Sequence, residues 1–151
     1  MFAHPRCPCT RASLEELNHL LSQCQGKISP HVVFFEPETQ PSDWLDTSLV
    51  KSAKAIPGLM VETDRAGAAA KLFGAETSGY VVLYGPDHQL LFHGGITASR
   101  GHAGDNAGVS SILSLLANNR ETPTRQTHVF GCRLLNANAL PSAPAALCTK
   151  P

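Results

Sequence analysis

No apolar run in this chain approaches the roughly 20 residues that a bilayer-spanning helix requires, so no membrane span is expected. Neither sign of charge dominates: 12 basic residues balance 12 acidic ones. Without a basic excess or cluster there is no electrostatic footprint for nucleic acid. Cys-x-x-Cys and Cys-x-x-His repeats are missing, which removes the spacing of a structural zinc site. The five cysteines, Cys7, Cys9, Cys24, Cys132 and Cys148, are too sparse and irregular in 151 residues for a disulfide-stapled mini-domain. No internal repeat is visible. No signal peptide precedes Met1-Phe2-Ala3, and these residues read as the end of a strand already under way, so the first strand is expected to be truncated. What remains, at 42% hydrophobic and 16% charged residues, is one globular domain with a substantial core.

The most informative stretch is His4-Pro5-Arg6-Cys7-Pro8-Cys9-Thr10-Arg11. Two cysteines separated by Pro8 lead directly into an amphipathic pattern expected to be helical from about Thr10 to Gln23. Unpaired N–H groups and the macrodipole at a helix N-terminus favour a thiolate, which makes the pair a candidate redox centre. The competing reading is two small buried residues, since cysteine often fills cores. Ser13 with Glu16 fits a capping box, and Thr10 is a rival cap. Leu14, Leu17, Leu21 and Cys24 share a face, which places Cys24 in the core as a packed thiol.

Downstream, His31 to Glu36 reads as a strand buried on both faces. Ser42-Asp43 is expected to cap a second helix carrying Trp44, Leu45, Leu49 and Ala53, with Trp44 as a core or rim anchor. Leu59 to Thr63 is the next strand, and an Ala-rich helix ends near Phe73-Gly74. Tyr80–Tyr84 and Gln89–His93 flank Gly85-Pro86-Asp87-His88 as a hairpin. Asp105 or Asn106 caps a last helix bearing Val109, Ile112, Leu113 and Leu116. The expected organisation is a domain over 1–120, an extension over 121–135 carrying Cys132, and a disordered tail from 136 to 151 in which Cys148 has no role.

Strands alternating with helices, then a hairpin and a helix, give an α/β fold with a mixed sheet flanked by helices. Working groups in such sheets gather beyond the carboxyl ends of the parallel strands. Strand direction then brings Thr77-Ser78-Gly79 and the loop from Gly94-Gly95 to Arg100 and His102 beside Cys7 and Cys9.

The same residues carry a resemblance. His4 to Ser13, Phe73-Gly74-Ala75 with Thr77-Ser78-Gly79, Gly94-Gly95-Ile96-Thr97 through Ser99-Arg100-Gly101-His102 to Gly108, and Phe130-Gly131-Cys132 together resemble thioredoxin-fold proteins of the redoxin type. More narrowly, they are similar to the RedB-like thioredoxin-like group, over about residues 1 to 135. The resemblance implies a thioredoxin-like sheet and thiol–disulfide chemistry with a protein dithiol/disulfide partner or a small thiol. It also implies a periplasmic or membrane-anchored extracytoplasmic setting, although this chain carries no signal or anchor. Two departures stand out: one residue separates the cysteines in place of two, and Gly79 stands where a proline before the hairpin is expected.

On this reading Cys7 is the attacking thiolate and Cys9 the resolving thiol, the small Cys-x-Cys ring being easily reduced. Arg6, Arg11 and Arg100 are expected to lower thiol pKa by charge, His102 to shuttle protons, and Ser78 and Gly79 to present backbone to a docked partner. His4 is a weaker candidate. Cys132 is a third redox thiol, a partner for Cys24, or simply exposed. No cofactor is required. The alternative use of the thiols is copper(I) binding by Cys7, Cys9 and His102, because soft thiolates select that ion. Thiol peroxidase chemistry fits less well, as His4 occupies the position where that chemistry uses threonine.

Overall fold

The computed structural model describes residues 1–24, 26–117 and 123–135. In chain order these form β1 (Phe2–Ala3), α1 (Thr10–Gln23), β2 (His31–Glu36), α2 (Ser48–Lys54), β3 (Met60–Arg65) and α3 (Ala68–Leu72). There follow β4 (Val81–Tyr84), β5 (Leu90–Gly94), α4 (Ala107–Ala117) and β6 (Arg125–Gln126). The fold is mixed α/β, with two small sheets. Strands β1, β2 and β3 pair in parallel, with Phe2 against Val33 and His31 against Met60. Strands β4 and β5 form the expected antiparallel hairpin, and β6 joins β5 in parallel. The sheets meet at one antiparallel bridge, where Phe2 N–H donates to Tyr80 O and Gly79 N–H donates to Phe2 O, both at 2.8 Å.

The larger core lies between the sheets and α1, α2 and α4. Leu14, Leu17, Leu20, Val32, Phe34, Leu49, Val50, Phe92, Ile96 and Ile112 are all buried there. On α1 the deepest leucine at that level is Leu20, with Leu21 packed at the edge. Cys24 is buried as expected, and its Sγ–H donates to Leu20 O at 3.0 Å. A second cluster on the opposite face gathers Phe2, Phe35, Trp44, Ala70, Ala75 and Leu134. Trp44 is the expected anchor: it is 5% exposed and its Nε1–H donates to Phe35 O at 2.9 Å.

Three local expectations are corrected. Helix α2 begins at Ser48, not at Trp44, because residues 42–46 fold into turns (Trp44 N to Pro41 O, Asp46 N to Asp43 O) that let Trp44 reach the second core. Its cap is Thr47, whose Oγ1 accepts from Val50 N at 3.3 Å. At α1 the capping box does not form: Cys9 is the cap residue, without a side-chain cap bond. Glu16 is instead buried and reaches α4's lead-in loop, accepting from Gly104 N at 2.6 Å and Asn106 Nδ2 at 3.0 Å. Asn106 is the cap chosen for α4, its Oδ1 accepting from Val109 N at 2.8 Å. A buried carboxylate needs such donors, and the loop needs a fixed anchor.

Residues 123–135 form a strap. It adds β6 to the hairpin, continues with Thr127 N–H donating to His93 O, then crosses to residues 76–78. There Ser78 N–H donates to Cys132 O at 2.8 Å and Leu134 N–H to Glu76 O at 2.9 Å, with Thr77 bridging Arg133 in antiparallel fashion. Leu134 is 1% exposed, so the segment expected as an extension supplies part of a core. The expected disordered tail and Cys148 lie outside the described residues. Truncating Leu134 leaves a cavity in a small cluster, so Leu134→Ala should cost about 2–5 kcal/mol, read from the shift in urea unfolding midpoint. A loss below the scatter of surface substitutions would show that the strap is not part of the cooperative fold.

Candidate functional site

The loop after β1 owes its shape to its own backbone and to Ser78. Cys7 N–H donates to His4 O (3.2 Å), Thr10 N–H to Cys7 O (3.1 Å) and Arg11 N–H to Pro8 O (3.3 Å), so the chain is already wound before α1 begins. Ser78, 1% exposed, accepts from His4 N–H at 2.9 Å and lies 2.7 Å from Thr10 Oγ1. Gly79, at φ +94°, lets this turn pass close to α1, since a Cβ there would sit 2.9 Å from Ser13 Oγ.

Cys7 is 1% exposed and carries no disulfide. Its sulfur is the focus of several donors. Cys132 N–H points at Cys7 Sγ from 3.4 Å. The Cys132 thiol, the Thr10 hydroxyl and the Cys9 backbone lie near enough to favour its charged form as well. The Thr10 hydroxyl also reaches His4 O at 3.5 Å, so it is held between Ser78 and the start of the loop. Hydrogen bonds to a charged form favour that form. The Cys132 thiol is the largest contributor, and together the donors outweigh burial and hold the Cys7 thiol well below the ordinary range. Cys132 moves the opposite way: its bond to Cys7, its own burial and the nearby Cys7 and Cys9 charges push its thiol strongly upward. The two thiols are thus pushed in opposite directions, with the charged form favoured on Cys7.

The arginines do not produce this effect. Arg6 lies over the Trp44 ring, 4.6 Å from its centroid, and pairs with Asp43 at 3.5 Å. Arg11 turns away to Ser48 Oγ at 3.4 Å, on the wall of a cavity of about 200 Å³ between α1 and α2. Arg100 is exposed and acts only weakly, through its charge, on Cys132. His102 is exposed and donates from Nδ1 to Arg100 O at 2.8 Å. Among the described residues no group of three or more His, Cys, Asp and Glu side chains is placed to hold a metal, so His102 is not brought to the thiols as a copper(I) ligand. Pro8 is exposed, and Cys9 is buried at 5% exposure.

Two further expectations change. Ser78 and Gly79 do not offer open backbone: the Ser78 N–H is taken by Cys132 O and the Gly79 N–H by Phe2 O. Gly94 and Gly95 serve the strap, because a Cβ at either would run into residues 127–129. His4 frames the loop, its Nδ1 accepting from Arg6 N at 3.1 Å. Its ring lies against Phe35 and edge-on to Trp44, and burial lowers its pKa, which keeps it neutral. Thr10 and the Cys132 backbone are the site groups that sequence reasoning missed. Gly131 was the available signal for the second: a Cβ there would collide with Ser78 O, so only glycine lets Cys132 approach.

No protein-family model matches the chain. No curated protein matches it. Among solved structures there is a resemblance. The chain is similar to an uncharacterized conserved protein from Geobacillus kaustophilus, at 22% identity and a TM-score of 0.70, over 89% of this chain and 74% of that one. The likeness is one of fold.

The opposed shifts of Cys7 and Cys132 set a pH signature. A thiol held low stabilises the fold increasingly as pH rises towards the ordinary thiol value of about 8.5. A thiol held high loses stability above that value. The stability increment of the reduced protein over a Cys7→Ser/Cys132→Ser variant should therefore be bell-shaped, with its maximum near pH ~8.5. Urea midpoints under reducing conditions across neutral and alkaline pH measure it, and a flat difference would contradict the coupling. Thiolate absorbance should also titrate at higher pH in Cys132→Ala than in the parent.

Proposed function

We propose that this protein is a thiol–disulfide oxidoreductase with a thioredoxin-like arrangement of sheet and helices, in which Cys7 is the attacking thiolate. The observation that supports this is the burial of Cys7 Sγ against the Cys132 N–H at 3.4 Å, in surroundings from Cys132, Thr10 and Cys9 that lower its pKa. Thiolate, not thiol, is the nucleophile in disulfide exchange, and a sulfur whose pKa is lowered by its surroundings is suited to that step. The partner is a protein dithiol/disulfide or a small thiol. Cys7 attacks one sulfur of the partner's disulfide, the other leaves as a thiolate that takes a proton, and a mixed disulfide remains on Cys7. A second protein thiol then attacks Cys7 Sγ and releases the partner reduced.

The wound backbone of residues 7–11 supports the reading in a second way: it holds Cys7 beside Thr10 at the start of α1 before any partner arrives. In a turbidity assay of insulin reduction driven by dithiothreitol, Cys7→Ser should fall to the rate of the uncatalysed control. Cys24→Ala, remote and packed in the larger core, should retain parental activity. Full activity in Cys7→Ser would remove the assignment.

A further inference from the structure

Exchange leaves open which thiol resolves the mixed disulfide, and the geometry separates Cys9 from Cys132. Residues 7–11 are wound in a helical turn, with Thr10 N–H on Cys7 O and Arg11 N–H on Pro8 O. On such a turn residues i and i+2 do not face each other. A disulfide needs converging Cβ vectors, so joining Cys7 to Cys9 requires this turn to unwind. Cys132 is 125 positions away in sequence, yet its backbone N–H rests on Cys7 Sγ at 3.4 Å. Only its own Cβ–Sγ arm has to swing to bring sulfur to sulfur. The approach is built into the chain: Gly131 removes the side chain that would strike Ser78 O, and the bonds to Ser78 and Glu76 fix the register of residues 132–134.

We infer that Cys132 is the resolving thiol of Cys7, so that the oxidised protein carries a Cys7–Cys132 disulfide which fastens the strap over the site. This rests on the thiol–disulfide reading above. The step balances as follows. Cys7 thiolate and a partner disulfide give the mixed disulfide and one partner thiolate, which takes up a proton. Cys132 then loses its proton and attacks Cys7 Sγ, the sulfur–sulfur bond to the partner breaks, and the second partner thiol departs. The partner disulfide gains two electrons, and the Cys7/Cys132 pair loses them. The order follows from the contact between the two residues and the opposed shifts of their thiols. While Cys7 is anionic it holds the Cys132 proton. Once Cys7 is bonded to a partner, that charge is gone and Cys132 ionises more easily. Cys7 is 1% exposed in the reduced form, so the contact with Cys132 opens for a partner to enter and closes again for resolution.

The test is to oxidise the reduced full-length chain with glutathione disulfide, alkylate the remaining thiols, digest with trypsin and map the disulfides by mass spectrometry. The expected product joins the peptide of residues 7–11 to that of residues 126–133, and the link persists in Cys9→Ser. A disulfide internal to residues 7–11 overturns the inference. So does a link that survives Cys7→Ser but not Cys9→Ser, or glutathione retained on Cys7 in the parent with no protein disulfide. Cys132→Ser should accumulate the Cys7–glutathione adduct and change multiple turnover into a single stoichiometric burst; undiminished turnover overturns the role. Mapping on the parent needs no variant to fold. If insulin disulfides are still reduced while the map shows Cys7 joined to Cys9, only this inference fails. If Cys7 is neither oxidised nor required for reduction, the underlying exchange reading fails as well.

Discussion

Ser78 is the point on which the arrangement of the site depends. Its hydroxyl holds the His4 N–H and the Thr10 hydroxyl, its N–H holds Cys132 O, and its carbonyl lies against Gly131. Three segments far apart in sequence, the Cys-Pro-Cys loop, the turn before β4 and the strap, are thus tied to one buried residue. A buried polar group must find partners or its desolvation goes uncompensated, and here each of these groups is satisfied by another segment. The positions of Cys7 and Cys132 are consequences of that accounting.

The strap explains why the sulfur is both ionised and covered. Water would ordinarily stabilise a thiolate, and burial penalises it. In this fold the donors that replace water come from the strap itself and from the start of α1. Cover and ionisation therefore have the same physical source. The Cys132 thiol that seals the site is also the group that lowers the Cys7 pKa most. A partner that displaces Cys132 would therefore expose the sulfur and at the same time remove the largest influence lowering its pKa, which ties reactivity to local opening of one segment.

Much of the framework was legible in the sequence. Leucines at helical spacing located α1, a β-branched and aromatic run located β2, and a turn cluster between two apolar runs located the hairpin. The readings that failed share a cause. Ser42-Asp43 looks like a cap, but Trp44 has a better use in the second core, where its indole N–H finds Phe35 O, so the helix waits for Thr47. Glu16 sits at capping-box spacing from Ser13, yet its carboxylate satisfies Gly104 and Asn106, 88 and 90 residues away. Local signals are read correctly only when no distant group competes for the same atoms. Arg6 and Arg11 fell to the same rule, being drawn to Trp44, Asp43 and Ser48.

By itself the sequence determined the α/β order of elements, the placing of Cys7 and Cys9 at a helix start, and the turn that brings Ser78 beside them. Those follow from periodicity and strand direction, which are short-range properties of the chain. The tertiary structure decided which thiol faces Cys7, what ionises it and what covers it. Those depend on a segment over a hundred residues downstream whose own pattern is weak: one two-residue strand, a single buried side chain at Leu134, and a glycine. Its conformation comes from hydrogen bonds offered by the rest of the fold, and no local preference encodes bonds whose partners are that remote.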